Sequence, residues 1–365
     1  MSTTMTTTDT SQEEARAKNL QTNALMIDVL AGRIIAPEPP PVDGKSHLDR
    51  VIESGLKVVS MTLSARADTF EDCLDMMYQY FSLFSAKPEK TLHVKTVEDI
   101  HRAQREGRLG FIFGSQTGTI VEKVIGRWTI LHQLGLRIAQ VTYNERTIFG
   151  DGCMEPENRG LTAYGRQAVQ EMNRLGIVVD GSHGGERTTL DIMEYSTKPI
   201  IFSHANPKAL SPSKRNITDE QMRKLAAMGG VMGITPHSML TYRKVGVRPT
   251  INDFLDMIDY SVQLIGIDHV GIGTDLMEQF TKLTWEMTTK RMYPNPFFYE
   301  TMWAEGFHSV SHWPNVISGL MSRGYKDEDI EKILGRNWLR IFSEVWDPEA
   351  DLDETKLKRD TRLWK

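Results

Sequence analysis

From residue 24 onward, two patterns of apolar and polar positions alternate along the chain. Short apolar, β-branched runs predict buried strands at 24–30, 58–64, 110–116, 138–144, 177–183, 200–204, 230–236 and 269–275, eight in all. Between them, apolar residues recur at three- and four-residue spacing, the pattern of helices with one buried face. Leu74, Met77, Tyr78 and Phe81 trace such a face in the first long helix; Phe254, Met257, Ile258 and Val262 trace another. Thr218 with Gln221 three residues on has the form of a capping box. Gly135, Gly176 and Gly229 stand where a helix stops before the next strand.

Eight such units predict an α/β chain folded as a single (β/α)8 TIM barrel over residues 21–348. An open doubly wound sheet also satisfies the alternation. However, no GxGxxG follows the first strand and no GxxxxGK[ST] occurs, so the usual nucleotide-binding reasons for that fold are missing. Residues 1–20, Ser/Thr-rich and then charged, read as a disordered N-terminal arm, and 349–365 as a C-terminal tail. Pro37-Glu38-Pro39-Pro40-Pro41 predicts a stiff connector after the first strand. After the eighth, the loop 276–316 carries Trp285, Tyr293, Phe297, Phe298, Tyr299, Trp303 and Trp313, and is expected to be a lid or pocket wall, or else a dimer contact or packing under the barrel.

Composition narrows the partners. A net charge of −5 without a Lys/Arg stripe argues against a nucleic-acid ligand. No apolar run approaches the roughly 20 residues that span a membrane, and the N-terminus has no secretory h-region. Cys73 and Cys153 are the only cysteines, too few for a disulfide framework, which fits a reducing compartment and a cytoplasmic location.

The candidate chemistry lies at the strand ends. Side chains of a parallel barrel reach solvent at the C-terminal ends of its strands. Those ends read Leu30, Ser64, Gln116, Tyr143-Asn144, His183, His204, His237 and Asp275. A single histidine there is more often structural than a ligand. Two histidines and an aspartate converging on one mouth predict a metal site of His183, His204 and Asp275. Imidazole and carboxylate suit Zn²⁺, and three ligands leave a position open for water.

An ordered series of motifs resembles the membrane (renal-type) dipeptidases, amidohydrolase-like barrel enzymes. It runs from Gly160-Leu161-Thr162 with Gly165, through Met172-Asn173-Arg174-Leu175-Gly176 and Asp180-Gly181-Ser182-His183, to Pro199-Ile200-Ile201-Phe202-Ser203-His204. Arg215-Asn216 with Asp219, Gly229-Gly230-Val231, the stretch from Gly266 to Asp275, and Ile333 to Arg340 continue it, so that the likeness covers roughly 24–345. The departures fall on catalytic positions. Where the family's first strand ends in His-x-Asp, this chain has Leu30-Ala31-Gly32; Gln116 replaces a Glu that bridges two metals, and Tyr143 replaces a His.

The resemblance therefore implies one divalent metal, Zn²⁺ by ligand type, at His183 and His204. Gln116, Asp275 or water completes the shell, Asp275 being either a third ligand or the general base, and Arg215 is the partner of a substrate carboxylate. Tyr143 is expected to stabilise an oxyanion, Asn144 and Gln116 to face the substrate, and His237 to be a proton donor or alternative ligand. The implied function is a dipeptidase-like, metal-dependent hydrolase acting on an amide-like bond of a small carboxylate-bearing molecule, assembled as a homodimer. Two alternatives stay open: a barrel enzyme of changed chemistry (lyase, isomerase or decarboxylase), and a catalytically inactive binding protein.

Overall fold

The computed structural model describes residues 7–32, 41–66, 68–278, 282–287, 299–347 and 350. Among them are nine strands: β1 (Ile27–Asp28), β2 (Val58–Thr62), β3 (Thr91–Val94), β4 (Leu109–Ser115), β5 (Leu136–Gln140), β6 (Val178–Asp180), β7 (Ile201–Phe202), β8 (Val231–Ile234) and β9 (Val270–Ile272). All pairings are parallel, in the order β1-β2-β4-β5-β6-β7-β8-β9. Those eight correspond to the eight expected runs, and the arrangement is a (β/α)8 barrel. The ninth, β3, was not foreseen from the sequence. It pairs with the first half of β4 while β5 takes the second half, so it lies beside the barrel without being a stave of it.

The barrel closes between β1 and β9 by side-chain as well as backbone bonds. Asp275 N donates to Leu30 O at 2.7 Å, and Val29 N reaches Ile272 O at 3.5 Å. Thr274 donates to the Asp28 carboxyl from its backbone N at 2.9 Å and its Oγ1 at 2.5 Å, and Leu30 N adds a third bond at 3.1 Å. Burial lifts the Asp28 pKa to about 7 even against the pull of these donors.

Two sequence expectations about helices need correction. The helix Phe70–Ala86 buries Cys73, Met77 and Tyr80, whereas Tyr78 is 71% exposed and Leu74 and Phe81 are half-buried. The inward stripe is set one position away from the one the apolar spacing suggests. Thr7–Asn23 is a helix, so the boundary at residue 20 falls inside it. Leu20 is buried, and Arg16 holds Asp327 Oδ1 at 2.5 Å and Tyr325 O at 3.1 Å, anchoring this segment against the C-terminal helices.

Other signals behave as read. Ile251–Ile265 buries Phe254, Met257 and Ile258, with Val262 half-buried. Thr218 and Gln221 form the reciprocal capping box. Gly135, Gly176 and Gly229 have φ of +107°, +69° and +82°. Pro37–Pro40, Tyr293, Phe297, Phe298 and most of 349–365 lie outside the described residues. Among the described residues no helix is long and apolar enough to cross a membrane.

Candidate active site

The strand-end residues gather at the C-terminal mouth, and two do so in unusual backbone conformations. His183 has φ +67° and Asp275 φ +54°, the left-handed region that non-glycine residues seldom occupy. Such strain persists where surrounding structure over-determines it, and it clusters at functional sites.

Hydrogen bonds assign the imidazole protons. Ser203 Oγ donates to Asp180 Oδ2 at 2.5 Å, so its lone pair accepts the Nδ1 proton of His204 at 2.7 Å. The Asp180 carboxylate is saturated, since it also receives Ser182 N, Ser203 N and Gln140 Nε2. On the other ring, His183 Nδ1 lies 2.7 Å from Asn144 Oδ1, an acceptor, and so carries its proton there. Gln116 donates its Nε2 to Thr62 Oγ1 at 2.8 Å, which turns its carbonyl oxygen inward.

Three acceptors therefore converge, one of which, His204 Nε2, already takes a hydrogen bond from Arg215 Nη2. His183 Nε2 is 3.0 Å from His204 Nε2 and 3.0 Å from Gln116 Oε1, with no proton left to place between them. Burial, then the nearby Arg215 charge, holds both histidines well below their usual pKa, so neither ring supplies one. Facing acceptors repel unless a cation joins them. Tetrahedral zinc with bonds of 2.0–2.1 Å needs its nitrogens about 3.3 Å apart, close to the spacing here. These donors fit one divalent ion, with two imidazoles and an amide oxygen as ligands. Leu30-Ala31-Gly32, at the end of β1, offers no side-chain ligand.

Arg215 brings a fixed positive charge to this row. Its Nη2 donates to His204 Nε2 at 2.7 Å and to His204 O at 3.0 Å. Its Nη1 and Nε make no hydrogen bond among the described residues. Tyr143 stacks on the His183 ring, centroids 4.0 Å apart and planes 21° off parallel. The rings and the guanidinium thus stand in the order Tyr143, His183, His204, Arg215.

Asp275 and His237 flank this row without joining it. No three His, Cys, Asp or Glu side chains among the described residues are grouped closely enough to hold an ion, and the side chain that lies beside the His183 imidazole is Gln116, its Oε1 3.0 Å from Nε2. Burial raises the Asp275 carboxyl to about 7 against the opposing pull of Arg215. Trp303, from the aromatic loop, donates Nε1 to Asp275 O at 3.1 Å and meets the His237 ring edge-on at 6.0 Å. Trp303, like Trp285 and Trp313, is buried in the core. His237 Nδ1 accepts from Met239 N at 3.3 Å, which leaves its proton on Nε2. Cys153 is pushed up to about 11 by burial and is no thiolate. Sequence reasoning missed Ser203, Asp180 and Thr62; the only local hint was a serine directly before each histidine, in Ser182-His183 and Ser203-His204.

Similar proteins agree with this architecture. The model of a family described as membrane dipeptidase (Peptidase family M19) matches residues 42–293 and 299–356. Dipeptidase tcpJ of Claviceps purpurea is 29% identical over 285 residues, 78% of this chain and 61% of that protein. Dipeptidase aclJ of Aspergillus oryzae is 27% identical, covering 79% of this chain and 63% of its own length. The chain thus spans about three fifths of the length of these two relatives. An amidohydrolase from Pseudomonas aeruginosa superposes with a TM-score of 0.82 at 28% identity, over 90% of this chain and 99% of that one. A metallopeptidase from Rhodobacter sphaeroides, liganded with a phosphinate mimic of L-Ala-D-Ala, shares the fold with a TM-score of 0.74 at 20% identity, over 89% of this chain and all of its own. With the family model covering most of its length, the chain belongs to the membrane dipeptidase family.

Proposed function

We propose that this chain is a dipeptidase-type hydrolase with a single divalent metal, Zn²⁺ by ligand type, cleaving an amide bond in a small carboxylate-bearing substrate. The observation that carries this reading is the set of three converging acceptors, His183 Nε2, His204 Nε2 and Gln116 Oε1, within 3.0 Å of one another through His183. Bound there, the ion supplies a Lewis acid and an acidified water. The free Nε/Nη1 edge of Arg215 binds the substrate carboxylate in a two-pronged contact. Asp275 accepts the proton of the attacking water, and the Tyr143 ring confines the substrate. His237, with its proton on Nε2, is the donor for the leaving amine.

The test is metal content by mass spectrometry, together with hydrolysis of Ala-Ala. One ion per chain, lost in His183→Ala and bound more tightly in Gln116→Glu, is the expected result, since added ligand charge strengthens cation binding. Two ions per chain, or none after zinc reconstitution, overturn it. A second reading, proton-transfer chemistry without a metal, draws on one fact: Arg215 Nη2 already occupies the His204 lone pair. In that case activity survives exhaustive chelation.

A further inference from the structure

A cavity of about 760 Å³ opens on the Tyr143 side of the site. That size suits a small-molecule pocket. Its walls come from three loops at the C-terminal face: Arg66 after β2, Thr119 and Lys123 after β4, and Tyr143 to Ile148 after β5. Neither Arg66 nor Lys123 has an ion-pair partner among the described residues. Arg146 is neutralised by Asp151 Oδ1 at 2.6 Å, and the Glu122 carboxylate by Arg127 at 2.6 Å. Arg66 is also held at φ +57°, in the left-handed region, while its carbonyl accepts from Thr119 Oγ1 at 3.3 Å. The loop around this guanidinium is therefore tied to the loop that carries Lys123.

The remaining charge in the cavity is Glu145. It directly follows Asn144, the residue bonded to His183, and is itself exposed on the cavity wall. The cavity wall thus carries one acidic group and two basic ones without ion-pair partners among the described residues. Tyr143, stacked on His183, forms a wall shared with the site. Arg215 lies at the opposite end of the row, beyond His204. A substrate with its carboxylate at Arg215 and its amide at the imidazoles extends its amino-terminal residue past Tyr143.

We propose that this cavity receives the amino-terminal residue of the substrate and selects an acidic side chain there, with the α-ammonium group at Glu145 and the side-chain carboxylate at Arg66 and Lys123. The assignment of ends rests on the hydrolase reading above; the charge selection does not.

The experiment is isothermal titration calorimetry of the whole protein with three non-cleavable phosphinate mimics, of Glu-Ala, Gln-Ala and Lys-Ala. The Glu mimic should bind about tenfold tighter than the Gln mimic, two partly exposed cations each contributing up to about fivefold. Arg66→Ala and Lys123→Glu should each bring the Glu/Gln ratio toward one, and so should raising the salt concentration. Equal binding of the Glu and Gln mimics, preference for Lys, or binding of none of the three overturns the proposal. Ala-Ala hydrolysis without Glu selectivity sinks this subsite alone. Glu selectivity without hydrolysis of any dipeptide sinks the hydrolase reading alone.

Discussion

At the scale of single residues, the site depends on where protons sit. His204 keeps its Nε2 lone pair only while Ser203 takes its Nδ1 proton, and Ser203 takes it only because its own proton is spent on Asp180. Ser203→Ala breaks that chain without touching a ligand atom. Losing such an orienting partner typically costs 10–100-fold in metal affinity. A zinc-chelator competition assay should show a weakening of that order, with the far-ultraviolet circular dichroism unchanged; undiminished affinity would show that Ser203 does not set the tautomer. The gathering of His183, His204 and Arg215 at the mouth was legible in the sequence. Their partners were not, because a hydroxyl beside a histidine states neither which way its proton points nor which carboxylate lies across the barrel.

Elements carry the next layer, and glycine sets how closely they approach. A Cβ on Gly273 would lie 1.9 Å from Ser203 O, and one on Gly233 2.1 Å from the same atom. Strand glycines mark such close backbone approaches. Since Ser203 is the hinge of the proton network, neither strand can move aside without disturbing His204. Gly273→Ala should therefore reduce both stability, by roughly 2–4 kcal/mol as in other severe core overpacking, and zinc affinity. Chemical denaturation and metal titration on the same variant read the two effects, and normal zinc binding would separate the glycine from the site. At the helix starting at Asp219, Thr218→Ala removes the cap that accepts from Gln221 N at 3.4 Å. A loss of about 1 kcal/mol in urea unfolding, with metal binding intact, is the expected outcome. Caps and helix stops were readable because they depend on residues three or four apart. The inward face of Phe70–Ala86 was not, because Tyr78 and Tyr80 are equally apolar to a local count and only the packed neighbours decide between them.

For the molecule as a whole, closure of the barrel mouth depends on Glu278, just beyond β9. It lies 2.5 Å from Arg50 Nη1 and 3.5 Å from His47 Nδ1, and it accepts Ser309 Oγ and Val310 N at 2.8 Å each. These bonds join the helix His47–Glu53 to both ends of the long aromatic loop. Burial pushes its pKa up, but bonds from His47, Val310 and Ser309 outweigh this and hold it at about 2. With the folded pKa below the unfolded one, the stabilisation is complete above about pH 4.5 and lost as pH falls toward 2. The difference corresponds to roughly 3 kcal/mol. Glu278→Gln should unfold more easily by about that amount at pH 7, and the gap should shrink toward zero near pH 2. A gap that does not change with pH would assign the loss to packing instead of charge.

The sequence by itself determined the eight staves, the caps and glycine stops, and the histidines and arginine at the mouth, because period, turn chemistry and strand-end position are local properties of the chain. Only the tertiary structure decided that β3 stands outside the barrel, that Thr7–Asn23 is an anchored helix, and that the Gln116 amide oxygen lies against His183 Nε2. Each of those outcomes rests on contacts between segments far apart in the chain, whose distances and proton positions exist only once the barrel has closed.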